Sequence, residues 1–147
     1  MSNPKLVELL SKFLANTYTL YLKTQNYHWN VTGPLFPSLH LMFEGQYTQL
    51  ALQVDEVAER IRALGSVAPG SYSQFAQLGT IKEAPHAVPK ALEMVKDLEL
   101  GHEFMSKQAH EIIEIATSLK DDVTVDMCVK QKGDHEKTAW MLRSMLE

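Results

Sequence analysis

Residues 39–65 read LHLMFEGQYTQLALQVDEVAERIRALG, in which Leu39, Phe43, Gln46, Leu50, Val54, Val57, Ile61 and Leu64 step by threes and fours. That spacing predicts an amphipathic helix with one face on a core, stopped by Gly65. The same stretch carries two pairs of potential ligands four residues apart, His40 with Glu44 and Asp55 with Glu59. At about 100° per residue all four fall within about 100° of arc, so they form one stripe. Measured from the stripe of Leu39, Phe43, Leu50 and Ile61, the ligand stripe points roughly 130° away, out of the core.

Upstream, from Pro4 to about Val31, Val7, Leu14, Tyr21 and His28 recur seven apart with Leu6, Leu10 and Phe13 beside them, which predicts a first long helix. Asn3 suits its N-cap, Pro4 its first turn, and Gly33-Pro34 its end. The second helix starts near Phe36 to Ser38, antiparallel to the first across a short loop. Downstream, Gly65 to Pro85 is rich in Gly and Pro around an apolar patch at Tyr72, Phe75 and Leu78, which predicts a long crossover holding a short helix. A third helix is expected from about Val88 to Leu119, with Leu92, Val95, Leu98, Phe104, Ile112 and Ile115 as its apolar positions and a bend at Gly101. A fourth spans Asp122 to Leu146, its apolar positions including Val125, Cys128, Trp140 and Met141. Strand-like alternation is absent. The fold class is therefore all-α, a four-helix bundle whose long connection lies between helices 2 and 3, which is the ferritin-like arrangement.

With 147 residues, 45% of them hydrophobic, the chain suits one domain over residues 1–147. Its net charge of −4 gives no general attraction for a polyanion. The single Cys128 excludes an intrachain disulfide and a thiolate zinc site, so any metal must be held by His, Asp and Glu. Neither a membrane span nor a targeting signal at Met1-Ser2-Asn3-Pro4-Lys5 is read, so a cytoplasmic location is expected.

Glu44 and Asp55 are eleven residues apart, roughly 16 Å along a helix, so one ion cannot join them within one chain. Two copies of the second helix crossing antiparallel about a two-fold axis near residues 49 and 50 set Glu44 of one opposite Asp55 of the other. Ala51 and Ala58 allow the backbones to approach, and His28 reaches over His40 and Glu44. A mixed imidazole and carboxylate site with few ligands suits redox iron. The alternatives are a solvated polar helix face, and for His28 a satisfied histidine at the edge of the core. His86, His102, His110 and His135 show no ligand spacing, and the seven Met read as core filling.

The run Tyr27-His28-Trp29-Asn30-Val31-x-Gly33, then Leu39-His40, Glu44 and Asp55-Glu56-Val57-Ala58-Glu59-Arg60-Ile61-Arg62-Ala63-Leu64-Gly65, resembles the Dps family, mini-ferritins named for DNA protection in starved cells. Ser71-Tyr72 and His135-Glu136-Lys137-Thr138-Ala139-Trp140-Met141-Leu142 extend the likeness over essentially the whole chain. The resemblance implies a homo-dodecameric shell with a ferroxidase site at each two-fold interface. His28 and His40 would come from one subunit and Asp55 and Glu59 from its partner. Many relatives have Asp where Glu44 stands. It further implies oxidation of Fe2+ by H2O2, or by O2, and storage of ferric iron inside. Trp29 corresponds to an aromatic neighbour of that site, read either as a radical interceptor or as interface packing. Asp121, Asp122 and Asp126 correspond to acids lining an iron-entry pore; Asp121 and Asp122 alternatively start the fourth helix, where acids favour the dipole. A second function, nucleoid compaction by direct DNA binding, finds little support: only Lys5 precedes the first helix proper, and an assembly of chains at −4 each repels phosphate.

Overall fold

The computed structural model describes residues 3–147; Met1 and Ser2, where the reading for a targeting signal begins, lie outside the described residues. Five helices occur among them: α1 (Pro4–Asn30), α2 (Phe36–Ala63), α3 (Tyr72–Leu78), α4 (Ala91–Ser118) and α5 (Asp122–Ser144). The caps explain the limits. The Asn3 side chain accepts from the backbone of Lys5 and Leu6 with Pro4 in the first turn, and Ser71 caps α3 by accepting from Gln74. The turn into α2 uses Gly33 at φ 101°, and its end uses Gly65 at φ 94°, conformations that glycine adopts without a Cβ penalty.

Side-chain pairs along the helices fix their directions. Contacts of Tyr21 with Tyr47 and His28 with His40 make α1 and α2 antiparallel. Asn16 to Gln108 and Lys23 to Asp97 make α1 and α4 antiparallel, and Gln53 to Asp134 and Gln131 to Glu56 do the same for α2 and α5. Helices α2 and α4 therefore run the same way. The chain between them must travel back along the bundle, about 42 Å for a 28-residue helix. Buried Asn16 pins this crossover: its Oδ1 accepts from the amides of Thr80 and Ile81 at 2.7 and 2.9 Å, and its Nδ2 donates to Thr80 and Gln108.

The core is built from Leu10, Phe13, Leu20, Tyr27, Phe43, Leu50, Val57, Ile61, Leu98, Met105, Ile112 and Leu142. Helix α4 continues unbroken through Gly101, which has a packing role. A Cβ there would stand 2.9 Å from Leu20 Cδ1, so the glycine admits the α1 side chain. Leu92, Phe104, Trp140 and Met141, among the apolar positions of helices α4 and α5, are exposed in the single chain, with Leu41 and Leu52 of α2. No helix among the described residues is long and apolar enough to cross a membrane.

Candidate metal centre

His28 ends α1 and His40 begins α2, so the short turn through Gly33 lays one ring on the other. The rings stack at 3.8 Å between centroids and 14° between planes. Each is locked by the other's backbone: His28 Nδ1 donates to the His40 carbonyl at 2.7 Å, and His40 Nδ1 donates to the His28 carbonyl at 2.8 Å. A carbonyl only accepts, so each Nδ1 carries a proton and each Nε2 points away from the backbone lock. Tyr47 meets His28 edge-on and Phe36 stacks on His40, fixing the ring planes. Glu44, one turn after His40, brings its carboxylate to 4.0 Å from His28 Nε2.

His28, His40 and Glu44 each offer a ligand atom, all within 4.8 Å of one another. Ligands about 2.1 Å from an ion lie up to about 4.2 Å apart, a span that a small turn of the exposed Glu44 side chain reaches. The donor set fits: two imidazoles each oriented by a hydrogen bond to a backbone carbonyl, and one carboxylate oxygen. Asp55 and Glu59 are exposed on α2 and do not join the cluster, as the roughly 16 Å between Glu44 and Asp55 requires. Trp29, on the last turn of α1, is 60% exposed.

Of the three acids read as pore residues, Asp122 and Asp126 are exposed on α5. Asp121 caps α5: its side chain accepts from the Thr124 amide at 3.1 Å, from the Thr124 hydroxyl, and from Arg60 at 2.7 Å. Burial alone would raise its pKa, but the Thr124 hydrogen bonds and the Arg60 guanidinium outweigh that and hold the carboxyl below its ordinary value. Asp121→Ala is expected to cost about 1–2 kcal/mol by losing the cap and unpairing Arg60, read as a lower urea midpoint; an unchanged midpoint would leave Asp121 with no structural duty. Burial pushes the Cys128 thiol up to about 12, with Glu56 and Asp121 adding to the rise, so it is no thiolate ligand at neutral pH.

Sequence reasoning missed a contact in the bundle interior, where His102 Nδ1 and His135 Nδ1 meet at 2.9 Å. The two lie 33 residues apart on different helices, and no spacing in the sequence signals their contact.

Residues 7–147 match the family described as a ferritin-like domain. The chain is 35% identical over 144 residues to DNA protection during starvation protein 2 of Bacillus anthracis, covering 98% of each chain. The crystal structure of Dps from Staphylococcus aureus superposes with a TM-score of 0.94 at 37% identity, over 100% of this chain and 99% of that one. Dps from Vibrio cholerae, described as a member of a broad superfamily of ferritin-like diiron-carboxylate proteins, gives 0.93 at 34% identity over 97% of this chain and 89% of that one. With a bundle whose second and third long helices run parallel across a long connection, these likenesses mean that the chain belongs to the ferritin-like family, in its Dps branch.

Proposed function

We propose that residues 1–147 form one domain, the subunit of a dodecameric, cytoplasmic shell that oxidises Fe2+ and stores ferric iron, protecting DNA and the cell from peroxide. The observation that carries this reading is the outward cluster of His28, His40 and Glu44, with both Nε2 atoms pointing away from the backbone lock and Asp55 and Glu59 on the same helix beyond reach. Pairing α2 with a second copy about a two-fold axis sets Asp55 and Glu59 of the partner subunit over the cluster and makes two identical sites. The exposed apolar side chains, among them Trp29, Leu41, Leu52 and Trp140, are the kind that assembly covers.

In such a site iron is the substrate. The histidines bind Fe2+ through lone pairs already aimed outward, so little ordering is needed on arrival. The carboxylates of Glu44 and the partner's Asp55 and Glu59 favour the more highly charged ferric product, which drives electron loss. Two Fe2+ give one electron each to H2O2, and with two protons the products are two Fe3+ and two H2O. A peroxide reduced by two electrons releases no hydroxyl radical, and O2 serves as the alternative oxidant. Asp122 and Asp126 line the entry pore and raise the local concentration of Fe2+. Trp29 flanks the site as interface packing or as a radical interceptor.

Mass in solution followed by anaerobic Fe2+ loading with H2O2 tests the reading. A species of about twelve chains that consumes one H2O2 per two Fe2+ is expected. A monomer or plain dimer without iron uptake would return the acidic stripe to a solvated surface. Nucleoid compaction, the second reading, requires a gel shift in low salt that fades as salt rises.

A further inference from the structure

A run of tyrosine rings joins the candidate centre to a cleft beside α3. Tyr47 on α2 meets the His28 ring edge-on, with 5.2 Å between centroids and 69° between planes. Tyr47 also meets Tyr21 of α1 at 6.0 Å, and Tyr21 meets Tyr18 at 5.6 Å. Tyr18 and Tyr21 are three residues apart and so share one face of α1. Tyr18 then tilts against Phe75 of α3 at 5.0 Å, and with Tyr72 these two line a cleft of about 390 Å3 between α1, α3 and the crossover. Each gap alone is an ordinary aromatic contact. Together they form an unbroken series from a candidate ligand to Tyr18, ten residues and about 15 Å along α1 from His28. The three tyrosines are half-buried, and each carries what a phenylalanine at its place would lack, an O–H that releases an electron and a proton. Phe36, which stacks on His40, has no such group. Tyr27 is fully buried with its hydroxyl donating to Asp97, and neither it nor Trp29 has a ring contact with the centre among the described residues.

We propose that Tyr47, Tyr21 and Tyr18 form an electron relay that supplies the missing electron when peroxide meets a centre holding a single Fe2+. The proposal rests on the ferroxidase reading above. H2O2 needs two electrons to become water, and one Fe2+ gives one. The second comes from Tyr47, the phenol in contact with His28, which gives up an electron and its phenolic proton. With one further proton from solvent, Fe2+, the phenol, H2O2 and H+ become Fe3+, a tyrosyl radical and two H2O. Tyr21 then gives an electron to the Tyr47 radical, its own proton leaving to solvent while Tyr47 takes one back. Tyr18 restores Tyr21 in the same way, so the radical comes to rest at Tyr18, beside the cleft. The oxidising equivalent is thereby moved away from the two imidazoles, whose loss would disable the centre.

The test uses the assembled full-length protein, loaded anaerobically with one Fe2+ per site and mixed with H2O2 and a nitroso spin trap. Consumption of one H2O2 per Fe2+ is expected, with the electron paramagnetic resonance signal of a tyrosyl radical and, after digestion, a trap adduct on Tyr18 by mass spectrometry. Tyr21→Phe keeps the ring and is expected to keep the parent rate of Fe2+ oxidation at two Fe2+ per site, while the Tyr18 adduct is lost and an adduct on Tyr47 takes its place. Tyr47→Phe, which keeps the ring against His28, is expected to lose the adducts on both Tyr21 and Tyr18. A Tyr18 adduct that persists in Tyr21→Phe, an adduct on Trp29 in place of the tyrosines, or oxidation at single loading without a protein radical would overturn the relay. None of these touches the ferroxidase reading, which the consumption of one H2O2 per two Fe2+ at full loading tests separately; no oxidation at either loading would remove both.

Discussion

His28→Ala is expected to lower peroxide-driven Fe2+ oxidation at least 100-fold while leaving the helical bundle and its assembly intact. The effect is large because one substitution removes two things. It deletes a ligand nitrogen, and it deletes the Nδ1–H that donates to the His40 carbonyl together with the ring on which His40 stacks. Losing an orienting partner alone typically costs 10- to 100-fold in metal affinity or activity, and here the ligand goes with it. The fold survives because His28 ends α1, and the core below it is closed by Tyr27 and Leu39. His28→Gln, which retains a donor but offers no imidazole lone pair, is expected to keep the His40 orientation and still lose most of the rate. Stopped-flow absorbance of the ferric product measures both. A rate within twofold of the parent protein for His28→Ala would remove His28 from the site.

The second large effect is on stability in acid. Burial pushes His102 well below its ordinary value, with His135 adding to the fall, and burial pushes His135 down to about 4 against a smaller opposing pull from Asp134. Groups whose pKa is lower folded than unfolded bind fewer protons in the native state, so stability rises with pH across that interval. Above about 6.5 neither state is protonated at these rings and nothing is lost. As pH falls through 6.5 the unfolded chain gains protons that the native chain refuses. For His135 alone the loss reaches roughly 2 kcal/mol by pH 5 and roughly 3 kcal/mol near pH 4, with His102 adding in the same direction. Urea unfolding of chelator-treated protein at fixed chain concentration is expected to show the midpoint dropping between pH 6.5 and 5, and a flatter profile for His135→Gln. Parallel profiles for the two proteins would mean that His135 titrates alike folded and unfolded.

The fold was legible because its determinants are local. The threes and fours of Leu39 to Leu64, the Asn3 cap and the left-handed Gly33 and Gly65 each act within a few residues, and the structure places α1 and α2 within two residues of the predicted ends. Periodicity cannot separate a side chain buried in its own bundle from an apolar one left exposed on the single chain, as Leu92, Phe104, Trp140 and Met141 are. Of the candidate site, the grouping of His28 with His40 and Glu44 followed from one turn joining two helix ends. The reciprocal carbonyl lock did not, because it depends on the angle at which the two backbones cross. The His102–His135 contact spans 33 residues and two helices, and spacing along one chain does not encode it. Asp121 could be read as pore acid or as the start of α5, and its pairing with Arg60 from α2, 61 residues away, is a contact that spacing does not encode.

The central claim is that each oxidation site takes its histidines from one chain and its carboxylates from another. Chains carrying His28→Ala and chains carrying Asp55→Ala are each inactive under this account. When they pair, one of the two interface sites collects both defects, and the other collects the intact His28 with the intact Asp55. Unfolded together in equal amounts and reassembled at random, half of the pairs are mixed, so about a quarter of all sites are intact. Recovery of about a quarter of the parent Fe2+ oxidation rate in the mixture, with none in either variant alone, is the predicted result. A mixture as inactive as its two components, in assemblies shown by mass to contain both chains, would contradict a site shared between subunits.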